Sequence, residues 1–171
     1  MAPSVGSYAI VPAFAPLEVS VNGASLGAPA ATLVAGSDAT LLVYGSVAAP
    51  VATLITDDNH LPASSANLKL RLLNGLTGAA QPLTLDAAFA VVANGVAPDT
   101  ASPYTVVASS TALRVDVFAA SSLMPVYTDS ALSVPGNAVY TLFMLGDAAA
   151  PVPLLRRDRS GRRAGPRCAN F

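Results

Sequence analysis

Residues 68–75 read "LKLRLLNG". Leu68, Leu70 and Leu72 alternate with Lys69 and Arg71, so the apolar period is two and not 3.6. A chain with that period is extended, with successive side chains on opposite faces, one toward a core and one toward water. The pattern recurs on both sides. In "LEVSVNG" (17–23) Leu17, Val19 and Val21 alternate with Glu18 and Ser20. In "LRVDVFA" (113–119) Leu113, Val115 and Val117 alternate with Arg114 and Asp116. Antiparallel sheets with one solvated face are written this way. Asn22-Gly23, Asn74-Gly75 and Asn94-Gly95 end or follow such runs, and the left-handed backbone of a tight turn suits both residue types. Prolines fall between the runs, and no stretch carries a capped helical stripe. The expected fold is all-β, a sandwich of short strands.

The sequence also repeats. "GSVAAPV" (45–51) returns as "GDAAAPV" (146–152). Around it, "TLLVYGSVAAPVATLITDD" (40–58) aligns with "YTLFMLGDAAAPVPLLRRD" (140–158), Gly45 falling on Gly146 at an offset of 101, and "YAIVPAFAPLEVSVNG" (8–23) aligns with "YTVVASSTALRVDVFA" (104–119) at an offset of 96. A period near one hundred residues is the size of an immunoglobulin-like sandwich. The expectation is therefore a tandem pair of immunoglobulin-like antiparallel β-sandwiches, the first incomplete. Residues 1–62 supply the C-terminal part of the first repeat and a linker. Residues 63–159 supply a near-complete second repeat, and residues 160–171 a basic disordered tail. The second copy has strand-like sequence before Tyr104 that the first lacks before Tyr8. The favoured explanation is a true start upstream; strand donation by another chain and a degenerate gene are the alternatives. Both "LLVYG" (41–45) and "YTLFML" (140–145) are apolar on both faces. A strand of that kind is central and covered twice, by its own fold or by a neighbouring domain or partner.

Composition narrows the function. The chain of 171 residues is 53% hydrophobic and 11% charged, with 14 Pro, 12 Gly and no Trp. That apolar content can build a core. One Lys against eight Arg, with abundant Ala, is the composition of a GC-rich bacterial gene. Residues 1–155 hold nine acids and three bases, a net of −6, whereas residues 156–171 hold six Arg and one Asp, a net of +5. The acidic body offers no footprint for nucleic acid. The arginine-rich end "RRDRSGRRAGPRCANF" (156–171) reads as a solvated terminus. Cys168 is the single cysteine, so no intramolecular disulfide forms. No signal peptide is visible after Met1, and no apolar run is long enough for a spanning helix.

"LKLRLLNG", the later "PLTL" (82–85), "SPYTVV" (102–107), "LRVDVF" (113–118) and a closing "YTLFMLGDAAAPVPLLRRD" (140–158) resemble the bacterial domain of unknown function 4397 family. The resemblance covers residues 66–158 and, as a truncated copy, 8–59. It implies a non-catalytic structural or binding module of an exported or lipid-anchored envelope protein, periplasmic or at the cell surface. Partners so implied are a second copy, another envelope protein or a polysaccharide. A carbohydrate- or polymer-binding accessory domain is the alternative.

Side chains that carry chemistry are scarce. A Ser-His-Asp arrangement would have to use His60, the single histidine, which sits in the linker-like "TDDNHLPASS" (56–65). Asp57, Asp58 and Asn59 offer oxygens to calcium, but the spacing of a calcium loop is absent. Zinc would need more than Cys168 and His60, and Lys69 lies in an alternating strand and not in a phosphate loop. Asp38, Asp86, Asp99, Asp129 and Asp147 mostly read as turn residues. Tyr8, Tyr44, Tyr104, Tyr127 and Tyr140 read as packing residues within apolar strands. No catalytic, cofactor-binding or metal-ligating residue is assigned.

Overall fold

The computed structural model describes residues 3–161 apart from 13–16, 30–32 and 47. The described chain is all-β. Its strands are β1 (Val19–Val21), β2 (Ala24–Gly27), β3 (Asp38–Ser46), β4 (Ala49–Asp57), β5 (Asn67–Thr77), β6 (Leu83–Ala87), β7 (Ala90–Val96), β8 (Thr100–Ala101), β9 (Thr105–Ala108), β10 (Ser110–Ala119), β11 (Pro125–Val134), β12 (Ala138–Asp147) and β13 (Ala150–Ser160).

Two sheets make the sandwich. One has the order β11-β10-β6-β7; the other has the order β13-β12-β5, with β8 and β9 both on the far edge of β5. Pairing is antiparallel except between β5 and β12, which run parallel from Leu68 opposite Ala138 to Thr77 opposite Asp147. The alternation read in the sequence sets what faces inward. Leu68, Leu70 and Leu72 of β5 meet Leu113, Val115 and Val117 of β10 in one core, with Leu83 and Leu85 of β6 and Leu142 and Met144 of β12. Each is 4% exposed or less.

The three Asn-Gly pairs have three different uses. Asn22-Gly23 is the expected tight turn, with φ of 51° and 81° between β1 and β2. Asn74-Gly75, expected as a turn, instead lies inside β5. Asn74 is fully buried, and its Nδ2 donates to the carbonyls of Gln81 (2.9 Å) and Val96 (3.0 Å). Gly75 serves a close approach: a Cβ there would lie 2.7 Å from Leu145 Cδ2 and 3.2 Å from Leu42 Cδ1. Asn94-Gly95 is a bulge in β7, since Leu83 faces Val96 and Leu85 faces Ala93, leaving two residues opposite Thr84. The β6–β7 hairpin turns on Ala88 and Phe89, both at positive φ (49° and 64°), a conformation that composition alone does not suggest for them.

The repeated heptads form matching hairpins. Gly45 faces Pro50 and Ser46 faces Ala49 between β3 and β4; Gly146 faces Pro151 and Asp147 faces Ala150 between β12 and β13. The β3–β4 hairpin lies on the outer face of the β12–β5 sheet, where Leu42 joins Leu73, Phe143 and Leu145 in a second, smaller core. β12 is therefore buried on both faces from Ala138 to Leu145. β3 is covered once, with Leu41 and Val43 40% and 44% exposed. Among the described residues, positions 3–62 give only two hairpins, β1–β2 and β3–β4, and no sandwich of their own. At the other end β13 runs through Arg156, Arg157 and Arg159, so half the arginines expected in a solvated terminus are strand residues. Cys168 and residues 162–171 lie outside the described residues.

Candidate functional site

Arg71, expected on the solvated face of its strand, is 2% exposed. The alternation is real, but the β3–β4 hairpin covers the face on which Arg71 stands. Its Nη2 donates to Asp57 Oδ1 at 2.6 Å, and its guanidinium lies 4.4 Å from the centroid of the Tyr104 ring. A buried charge needs such pairing, because desolvation is otherwise costly.

From Arg71 two chains of hydrogen bonds diverge. Arg71 Nε donates to Thr141 Oγ1 (2.8 Å), and that hydroxyl donates to Asp158 Oδ2 (2.6 Å). Arg71 Nη2 also donates to Thr40 Oγ1 (3.3 Å), and that hydroxyl donates to Asp57 Oδ2 (2.7 Å). Each carboxylate takes one tyrosine: Tyr8 donates to Asp57 at 2.7 Å and Tyr104 to Asp158 at 3.1 Å. Asn59 Nδ2 donates to the Tyr8 hydroxyl at 3.3 Å. Tyr8 and Tyr104 are aligned residues at the offset of 96; Thr40 and Thr141, and Asp57 and Asp158, are aligned at 101. So one Tyr-Thr-Asp set occurs twice and meets itself across the hairpin seam, as do the aligned apolar residues Leu42 and Phe143. The seam is self-complementary in the way a two-fold interface is.

Its electrostatics are unequal. Two carboxylates share one guanidinium. Asp57 holds the direct ion pair, while the donors to Asp158 are the Thr141 and Tyr104 hydroxyls. Burial raises the Asp158 carboxyl above its ordinary range, against the pull of those hydroxyls and of Arg71. Burial likewise raises Tyr104, and pushes Tyr8 up to about 12. The tyrosines stay protonated and serve as donors.

The other chemistry-bearing residues disperse. His60 is exposed, its ring on Asp58. Lys69 Nζ takes the other Asp58 oxygen at 2.8 Å, and Lys69 first, then His60, hold that carboxyl well below the usual range. Asp58 thus turns to Lys69 and His60, while Asp57 and Asn59 turn the other way and share Tyr8. Among the described residues no three His, Cys, Asp or Glu side chains gather as metal ligands would. Asp99, at a φ of 63°, and Asp147, at the end of β12, sit at turns, and Asp38 opens β3. Asp86 and Asp129, expected at turns, are inside β6 and β11, where the strands run past the loops that were expected to hold them. Tyr140 packs in the main core and donates to the Pro135 carbonyl (3.3 Å), Tyr127 packs against that core, and Tyr44 shares a hydrogen bond with Thr53.

Beside the seam runs a groove of about 980 Å³. Its walls are residues of the segment 3–11, the length of β3, and Leu17 and Val21; Phe143 and Leu145 line it as well, and Tyr8 and Asp158 open onto it. Sequence alignment of the two copies holds the signal that locates this site: the identical polar residues Tyr, Thr and Asp recur at matched places within apolar runs. Reading each residue singly conceals it.

The fold and seam define a class: an all-β sandwich carrying a second copy of its own terminal hairpin, docked through a buried polar cluster. The sequence matches no protein-family model and no curated protein.

Proposed function

We propose that this chain is a non-catalytic structural or binding module of a bacterial envelope protein, exported or lipid-anchored, built from two immunoglobulin-like repeats of the domain of unknown function 4397 kind, the first incomplete. The observation that carries the reading is the seam. The carboxylates, hydroxyls and guanidinium that could serve catalysis are bonded to one another, and they hold one repeat element on the next. A cluster of that sort favours a fixed arrangement of elements, as satisfied buried networks do. Sequence resemblance supplies the envelope location. Fractionating cells that make a tagged chain from its own locus tests it: the reading expects the tag in the envelope or medium, and a purely cytoplasmic chain overturns the location.

A second reading, a carbohydrate- or polymer-binding accessory domain, is favoured by Tyr8 and Tyr44, which line one groove. Titrating soluble envelope glycans against tyrosine fluorescence tests it, with saturation expected if it holds and no change if it does not.

A further inference from the structure

β5 has three neighbours, and the groove is walled by their aligned counterparts. On one edge β5 runs parallel to β12, and on the other it pairs antiparallel with β9. Across the core it meets Leu113, Val115 and Val117. The counterpart of β12 is β3, that of β9 is the segment 9–12, and those of Leu113 and Val117 are Leu17 and Val21. The groove is lined by β3, by Ala9 and Val11, and by Leu17 and Val21. Among the described residues β3 pairs with β4 alone, and the segment 9–12 is in no strand. The position that β5 fills in one copy is thus, in the other, a groove between the open edge of β3 and the unpaired segment 9–12, and an open strand edge is a template for pairing.

Asp158 says what such a strand carries. Arg71 stands opposite Thr141 in the β5–β12 register, yet its ion pair is with Asp57 of the other copy's hairpin. The same geometry with the copies exchanged puts an arginine opposite Thr40, reaching Asp158. Asp158 opens onto the groove and, among the described residues, forms no ion pair.

We propose that the groove is a strand-acceptor site. It takes one extended β5-like strand, parallel to β3, with alternating aliphatic residues and one arginine opposite Thr40 that pairs with Asp158. In strand addition, main-chain hydrogen bonds give affinity and pockets for alternate side chains give specificity. The inference rests on the binding-module reading and names its partner.

The test uses the full chain and a fluorescent synthetic peptide of residues 66–77, "ANLKLRLLNGLT", read by polarisation. Saturable binding is expected. Asp158→Asn in the chain, or Arg71→Gln in the peptide, weakens it about tenfold, the scale of a charge-assisted hydrogen bond. The two changes together cost no more than either alone. Because the peptide substitution leaves the protein intact, the result does not depend on how well the Asp158→Asn chain folds. Absence of saturable binding, equal binding of a scrambled peptide, or additive losses overturn the proposal. A chain that sediments as a dimer and excludes the peptide also overturns it, giving the groove to a second copy. Cell fractionation and this titration fail independently, so a wrong location and a wrong partner are distinguishable.

Discussion

Arg71 shows how far one residue can depend on its surroundings. Its ion pair with Asp57 has both side chains at 2% exposure or less. Removing one member of a buried pair leaves the other charge uncompensated, at a cost of about 3–5 kcal/mol. Arg71→Met is therefore expected to lower the stability of the chain by that amount in urea titration. Arg71→Met with Asp57→Asn is expected to cost less than Arg71→Met alone, since the asparagine keeps an acceptor for Tyr8 and Thr40 and buries no charge. A double-mutant cycle measures the coupling, expected at about 0.5–3 kcal/mol. Asp158 gives a second prediction at this scale. Its neighbours are Arg71, Tyr104, Tyr8 and Asp57. Its carboxyl is raised in the folded chain, so the folded state binds the proton more tightly than the unfolded state does. Its contribution to stability is then greatest below about pH 4, the unfolded value, and is lost as pH rises through the folded value. Asp158→Asn is expected to flatten that part of the stability profile, and an unchanged profile would count against the raised carboxyl. None of this is legible in "LKLRLLNG" alone. Period-two alternation states that two faces differ; whether the second face meets water depends on a hairpin 14 or more residues away in sequence.

At the scale of the element, the strands were legible and their ends less so. Leu113, Val115 and Val117 face the core as their spacing requires, because burial of alternate side chains is the main force that orients a strand. Asn74-Gly75 misleads because Asn and Gly are also useful inside a sheet, one to bond stray carbonyls and the other to admit a neighbour. Gly75→Val is expected to force Leu145 and Leu42 apart and to cost about 1–3 kcal/mol, the range for overpacking. Protease cleavage within residues 48–62 should become faster as the hairpin loosens; unchanged cleavage would mean that the close approach is not needed. The β6–β7 turn runs the other way. Ala88 and Phe89 hold left-handed backbone at about 1–2 kcal/mol each, whereas the solvent-exposed Arg114 guanidinium, 5.5 Å from the Phe89 ring, returns less than that strain costs. Strain wins, so Ala88→Asn with Phe89→Gly is expected to stabilise the chain by about 1 kcal/mol, read as a raised Tm.

Across the whole molecule, the consequence of the repeat is that β12 has two cores to serve. Its Leu142 and Met144 belong to the sandwich, and its Phe143 and Leu145 to the seam with the hairpin. Two-sided hydrophobicity in "YTLFML" was legible as double coverage, but the covering element was not, because apolar pattern records that a face is buried and not by what. The seam makes residues 3–62 part of the stability of the sandwich even though, among the described residues, they add no strand to it. Removing them predicts a specific intermediate behaviour. The fragment 63–161 keeps every strand of both sheets and its main core, so its circular dichroism should stay that of a β-protein. It uncovers Leu73, Phe143 and Leu145, each at about 1.5–3 kcal/mol. Arg71, freed of Asp57, becomes able to reach water, which offsets the loss of its partner in a way that Arg71→Met in the whole chain cannot. The fragment should therefore unfold cooperatively at a lower urea midpoint and bind a hydrophobic dye while still folded. Adding back a synthetic hairpin of residues 37–58 should raise the midpoint and displace the dye, with Asp57→Asn in that hairpin weakening both effects. A fragment as stable as the whole chain, with no dye binding, would show that the hairpin rests on the sandwich without supporting it.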